Sequence, residues 1–146
     1  MEVEIKLDAA YPSPKALILT EKLTPEIELA VRYLSREQPQ LLTGMREGRL
    51  EILEPSALIR CYAAAGKVYA VTEGGEYTLR LRLYELEERL DPTQFVRISN
   101  SEIIRLQRAK SFDLSLAGTI CVRLSDGSTS YVSRRYVSRI KQLLGI

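Results

Sequence analysis

The chain has 146 residues, 45% hydrophobic and 27% charged, with a formal net charge of +2 and no histidine. That length suits one well-buried core with a small extension, and the lack of histidine excludes Ser-His-Asp and Cys-His catalysis together with any His-based zinc site. No run approaches the roughly 18 apolar residues of a membrane span, and the opening Met-Glu-Val-Glu-Ile-Lys is too charged for a secretory signal, so a cytoplasmic protein is expected.

Residues 2–7 and 16–20 read as two short strands around the turn-prone Tyr11-Pro12-Ser13-Pro14. A helix follows, with Thr24 as N-cap, Pro25 in its first position, Glu26 and Glu28 suiting the dipole, and Ile27, Val31 and Leu34 on one face. It is expected to stop near Gln38-Pro39. Arg46-Glu47-Gly48-Arg49 breaks the pattern before the apolar run 50–53. Glu54-Pro55-Ser56 then marks the change from an extension (residues 1–50) to a main domain (residues 51–146).

Hairpins come next. Gly66 turns the chain between strands 59–63 and 68–72, and Gly74-Gly75 reads as a two-residue loop that permits positive φ at both positions. Pairing across that loop sets Thr72 against Tyr77, Ala70 against Leu79 and Val68 against Leu81, giving one apolar face. Residues 83–90 read as a two-turn helix ending before Asp91-Pro92, and residues 95–98 return to strand. Ser99-Asn100-Ser101 is a polar break, after which Ile103-Ile104 begins an apolar stretch whose type the periodicity does not decide.

The clearest hairpin joins 114–124 to 129–132 through Asp126-Gly127, a pair suited to a type I′ turn. A last helix is capped by Ser133, carries Val137, Ile140 and Leu144 as a stripe, and ends at Gly145. Cys61 and Cys121 sit inside apolar strand-like runs and are expected to be buried free thiols.

Charge is polarised along the chain. Residues 97–146 hold nine Lys or Arg against three acidic residues, a net of +6, while the first 96 residues sum to −4. One end should attract polyanions and the other repel them. Within the basic end, Arg134 and Arg135 occupy the first turn of the last helix, where the positive dipole end disfavours cations by a few tenths of a kcal/mol each, roughly. An anion bound there reverses the sign of that effect; two arginines extending into water is the other reading. Asn100 offers the donor and acceptor pair that reads an adenine edge, or else is a residue chosen for left-handed turn geometry. Lys67 beside Gly66 either approaches a phosphate or is a solvated hairpin lysine. The main enzymatic alternative would use Glu85, Glu87, Glu88 and Asp91 as a metal-dependent phosphodiesterase cluster. Neighbouring helix glutamates point in different directions, so these read as a solvated face, and no catalytic residue, metal or cofactor is assigned.

FVRISNSEII (95–104), LAGTICVRLSDG (116–127) and YVSRRYVSRIKQLLG (131–145) resemble LytTR-type DNA-binding domains in order and spacing, as do EILEPSALIRCYAAAGKVYAV (51–71) and YTLRLRLYELEERL (77–90). The whole chain is similar to the short, stand-alone bacterial members that lack a phosphoreceiver domain. The resemblance implies a mainly β fold, α+β by content. It would be an antiparallel sandwich with short helices, preceded here by a small ββα extension. It also implies a transcriptional regulator that binds double-stranded DNA at paired imperfect direct repeats, its loops and the start of the last helix entering major grooves. Carried over by position, Asn100 falls where a base-contacting polar residue lies, beside Ser101 of the serine-centred element, and Arg135 falls where a groove-entering arginine follows the last strand, next to Arg134.

Relatives often have His or another polar residue where this chain has Gly66, and Lys67 is the expected substitute. Ile104-Arg105 departs from the usual Val-Asn or Ile-Asn, and Arg105 is expected to face phosphates instead. The implied partners are a second copy of the chain, as a homodimer, and a small multi-helix membrane protein that restrains the regulator. Residues 1–50 are the expected dimer-forming or inhibitor-docking element. The competing account is a protein-interaction module whose basic face meets an acidic or membrane-protein partner.

Overall fold

The computed structural model describes residues 1–35, 41–115 and 117–146. The chain divides into two compact units, Met1–Gln38 and Pro39–Ile146. The first contains one helix, α1 (Pro25–Leu34), which starts as its sequence dictates: Thr24 is extended (φ −110°, ψ 162°), and its hydroxyl oxygen accepts from the Ile27 N–H at 3.3 Å. Ser35 closes the described part of α1, and the expected stop near Gln38-Pro39 lies outside the described residues. The strands expected at 2–7 and 16–20 do not form, so the extension is not ββα. Val3, Ile5, Leu7, Leu17 and Leu19 are all exposed, and α1 buries none of its residues. An isolated two-strand ribbon is marginal in water unless a third strand or a helix covers its apolar face, and among the described residues of this unit nothing does.

The second unit begins earlier than expected. β1 (Leu42–Arg46) and β2 (Arg49–Leu53) pair over their full length, from Leu42 opposite Leu53 to Arg46 opposite Arg49, and both belong to the main sheet. The compact unit that holds both sheets thus starts at Pro39 and takes in β1 and β2. What looked like a break is a type I′ turn, with Glu47 (φ 51°) and Gly48 (φ 75°) left-handed.

β3 (Leu58–Ala64), β4 (Lys67–Thr72) and β5 (Gly75–Leu79) follow, then α2 (Leu83–Arg89), β6 (Phe95–Ser99) and β7 (Glu102–Arg105). They form a seven-stranded antiparallel sheet in the order β2-β1-β5-β4-β3-β7-β6. β8 (Ala109–Asp113), β9 (Ile120–Leu124) and β10 (Thr129–Val132) form a second sheet in the order β10-β9-β8, and α3 (Arg134–Leu144) ends the fold. The expected sandwich with short helices is observed.

Two cores lie on opposite faces of the large sheet. In the first, Leu58, Cys61, Val68, Ala70, Tyr77, Leu79 and Ile103 pack with Leu83, Leu86 and Leu90 from α2 and its end. In the second, Ile59, Val96, Ile98 and Ile104 pack against Ile120, Val122, Leu124, Val132 and the α3 residue Ile140. Successive residues of β7, Ile103 and Ile104, thus enter different cores, which is why a continuous apolar pair gave no periodicity. Both cysteines are free, and burial pushes the Cys61 thiol up to about 12, which makes it inert.

Two hairpins differ from expectation in detail. Thr72 pairs with Gly75, Ala70 with Tyr77 and Val68 with Leu79, a slip of two residues from the expected register. Side chains alternate with period two, so the slip leaves every face unchanged. At the β9–β10 connection Thr129 pairs with Arg123, and only Gly127 (φ 86°) is left-handed; Asp126 Oδ1 instead accepts from Ser128 N (2.9 Å) and Oγ (2.6 Å). The loop is a three-residue type with its glycine in the αL position, not type I′.

Candidate nucleic-acid interface

Three segments converge at one end of the large sheet. The β6–β7 turn carries Asn100 and Ser101, and the Ser101 carbonyl accepts from the Ala63 N–H at 2.8 Å, which ties the turn to β3 just before its hairpin tip. That tip is a left-handed pair, Ala65 (φ 51°) and Gly66 (φ 76°), with exposed Lys67 directly after it. A left-handed alanine costs roughly 1–2 kcal/mol, so the tip is held by its strands against local preference. The third segment is the start of α3: the Ser133 N–H donates to the Ile98 carbonyl at 2.8 Å, which places Arg134 and Arg135 beside the turn.

The turn itself is clamped from behind. Arg97 is half-buried on β6; its Nε donates to the Ser99 carbonyl at 2.7 Å and one terminal nitrogen to the Asn100 carbonyl at 2.6 Å. Its other terminal nitrogen meets Glu87 of α2 at 2.6 Å. Charge-assisted bonds of this length are among the stronger ones, and together they fix the backbone of Ser99 and Asn100. The turn adds its own bond, from Ser101 N to Ser99 Oγ at 3.2 Å.

With its backbone fixed, the Asn100 side chain remains exposed. Among the described non-glycine residues only Glu47 and Ala65 have positive φ, so left-handed geometry is not the reason for an asparagine at position 100. Its Oδ1 accepts from the Tyr136 hydroxyl at 3.3 Å, and the Arg135 guanidinium lies 5.6 Å from the centre of the same tyrosine ring. Tyr136 thus joins Asn100 to Arg135. Arg134, also exposed, lies against Gly118, where an added Cβ would come within 3.0 Å of Nε. The Ser133 hydroxyl makes no capping bond, and while the Tyr136 N–H donates to the Ser133 carbonyl at 2.9 Å, the Arg134 and Arg135 N–H groups are left to solvent or to a bound anion.

Of the six residues singled out from sequence, Lys67, Asn100, Ser101, Arg134 and Arg135 are exposed at this end. Arg105 is not with them. It ends β7 on the far side, half-buried, with its terminal nitrogens 2.5 Å from the Ser56 carbonyl and 2.7 Å from Gln107 Oε1. Arg108 is likewise engaged, by Glu73 at 2.6 Å. The acidic residues weighed as a metal site have other work: Glu85 accepts from the Arg82 N–H at 3.1 Å, Glu87 pairs with Arg97, and Asp91 holds Thr93.

Sequence reasoning missed Arg97 and Tyr136. Arg97 entered only as one of nine positive charges, although its position two residues before Ser99 on a strand end is a usable signal. Tyr136 had none, since its partner lies 36 positions away.

A β domain that gathers an exposed amide, arginines and free helix-end N–H groups at one end belongs to the class of nucleic-acid-binding modules. Residues 48–145 match the LytTr DNA-binding domain family, and the chain belongs to that family. An uncharacterised HTH-type transcriptional regulator of Staphylococcus aureus strain NCTC 8325 is 36% identical over 110 residues, covering 75% of this chain and 74% of the relative. Its counterpart in strain MRSA252 is 34% identical over the same length and with the same coverage. Among solved structures, a LytTr DNA-binding domain from Bacillus cereus matches with a TM-score of 0.69 at 24% identity, covering 73% of this chain and 97% of that one, and it shares the fold. Among the described residues no helix is long and apolar enough to cross a membrane.

Proposed function

We propose that this chain is a sequence-specific DNA-binding transcriptional regulator that recognises paired imperfect direct repeats. The observation that carries this reading is the linked unit of Asn100, Tyr136 and Arg135 at a basic end of the fold. Tyr136 takes one lone pair of Asn100 Oδ1, which orients the amide with its N–H groups outward. It then suits base acceptors in a major groove, such as guanine O6 and N7 or thymine O4, more than the donor-acceptor edge of adenine. Arg135 enters the same groove. Arg134, Ser101 and the α3 N–H groups hold the flanking phosphates, and Lys67 at the hairpin tip reaches the backbone of the next groove. Arg105, tied to Ser56 and Gln107, supports β7 instead of touching the duplex.

In this account the protein needs neither cofactor nor catalytic group. It works in the cytoplasm as a homodimer, and its acidic N-terminal unit is left to assembly or to a restraining membrane protein. Selection from a random duplex pool, followed by titration of the winning site, tests the reading. Affinity should fall with salt at a log–log slope of roughly −0.9 per phosphate neutralised. Affinity that ignores salt, or a pool that yields no preferred sequence, would refute it.

A further inference from the structure

Ser130 of β10 is 4% exposed, and among the described residues it is the only serine, threonine, amide-bearing or charged residue that is buried. Val122 lies opposite it on β9 and Val132 two residues on, both in the second core. A hydroxyl in such surroundings costs free energy unless it is bonded.

The partner comes from the other sheet. Ser130 Oγ donates to Glu102 Oε2 at 2.5 Å. Glu102 opens β7 directly after Ser101, its side chain is 14% exposed, and by alternation it shares a sheet face with Ile104 of the second core. Arg60 of β3 approaches the same carboxylate oxygen at 3.5 Å. The Arg60 guanidinium in turn lies 4.7 Å from the centre of the Tyr62 ring, whose hydroxyl donates to Glu76. The carboxylate is thus held from β3 and presented to β10.

This bond joins the two stretches of chain that carry the interface. Glu102 stands two residues after Asn100, and Ser130 stands five before Arg135. Next to it, the Ser133 N–H seats the start of α3 on the Ile98 carbonyl. Contacts among Ile98, Ile104, Ile120 and Val132 are non-directional and tolerate a small slide of one sheet over the other, whereas a charge-assisted hydrogen bond holds to a narrow range of length and angle. Buried ion pairs are weak sources of stability, and their best-attested use is to fix register.

We propose that Glu102 is a positioning residue for base recognition: through Ser130 it sets the separation between Asn100 and Arg135, so that the two side chains meet bases at one fixed spacing. Glu102 itself does not touch the duplex. Loosening the bond should therefore erode preference among sequences and leave the general attraction to phosphates intact. This role rests on the DNA reading above, whereas the seating of α3 is measurable without DNA.

Two measurements on the full chain test it. In the first, each variant is titrated with the selected duplex and with a scrambled one. Ser130→Ala keeps every charge, and it should lower the ratio of the two affinities about tenfold while affinity for the scrambled duplex stays within about twofold and the salt slope is unchanged. Glu102→Ala should lower the ratio at least as much. Glu102→Gln, which keeps an oxygen for Ser130, should stay within about threefold of the wild type. Glu102→Ala also strips Arg60 of its ion pair; should it fold poorly, Ser130→Ala, which retains that pair, carries the test.

The second measurement is amide hydrogen exchange without DNA. In Ser130→Ala, protection of the Ser133 N–H should fall about tenfold more than that of Ala70, buried in the first core, because the start of α3 loosens locally. An affinity ratio unchanged in both Ser130→Ala and Glu102→Ala overturns the proposal. So does Ser133 protection that falls only in step with Ala70, the mark of a plain loss of stability. A wild type with no preferred duplex, combined with a selective fall at Ser133, would count against the DNA reading and support the link between the sheets.

Discussion

The strand β7 is four residues long, and its two ends treat their polar neighbours differently. At the Asn100–Ser101 end the backbone is held from behind by Arg97 and by the Ser101–Ala63 bond, while the side chains face solvent. At the Arg105 end the reverse holds, since the guanidinium itself is bonded to Ser56 and Gln107. A side chain is available to a ligand without prior rupture when its backbone carries the main anchoring bonds, and Asn100, whose Oδ1 accepts from Tyr136, keeps its amide N–H groups outside that contact. Two polar residues five positions apart in one sequence motif therefore differ in what they are free to do.

Five substitutions break or sharpen that contrast. Arg97→Met removes three charge-assisted bonds and should lower the unfolding free energy by about 3 kcal/mol in a urea melt, with DNA affinity falling as the turn loosens. If the turn reads DNA equally well without Arg97, the clamp is irrelevant to function. Asn100→Ala and Arg135→Ala should each weaken binding to the selected duplex by about 1–3 kcal/mol with little change in stability, and each should relax preference at its own base position. Arg105→Ala should do the opposite: a loss of about 1.5 kcal/mol in stability, with affinity for folded protein within about twofold. A large affinity loss there would mean that the two ends of β7 both meet DNA. Tyr136→Phe is the finest probe. It should cost about 0.5–1 kcal/mol of binding and shift the base preference at the Asn100 position toward adenine, because the freed amide can then offer both donor and acceptor. An unchanged preference would show that the Tyr136 hydroxyl does not orient the amide.

Local chemistry made much of this fold legible. Thr24-Pro25 starts α1 as its residues demand, α2 and α3 occupy the expected positions, and alternation put Val68, Ala70, Tyr77 and Leu79 on a buried face even though the register was misplaced by two. The failures share a cause, which is that the deciding partner was distant in sequence. Residues 2–7 alternate as a strand should, yet alternation builds no ladder without a neighbour to accept it. Residues 42–50 looked like part of an extension because the main-sheet partner of β1, β5, comes only after two further strands. In the site, residue type pointed to Asn100 and Arg135, but the tyrosine joining them became visible only once β6 and α3 met, whereas Arg97 was passed over although the carbonyls it holds lie only two and three residues on. The bond from Arg105 to Ser56 was hidden for the same reason, since its partner lies 49 positions upstream.

Strand order carries an evolutionary corollary. Because β2 and the β6–β7 turn occupy opposite margins of one continuous sheet, mutations at either margin act on separate traits, provided the intervening strands stay packed. A lineage can therefore drift at the Asn100 margin without disturbing the packing at the β2 margin, or change at β2 without moving the Asn100 turn.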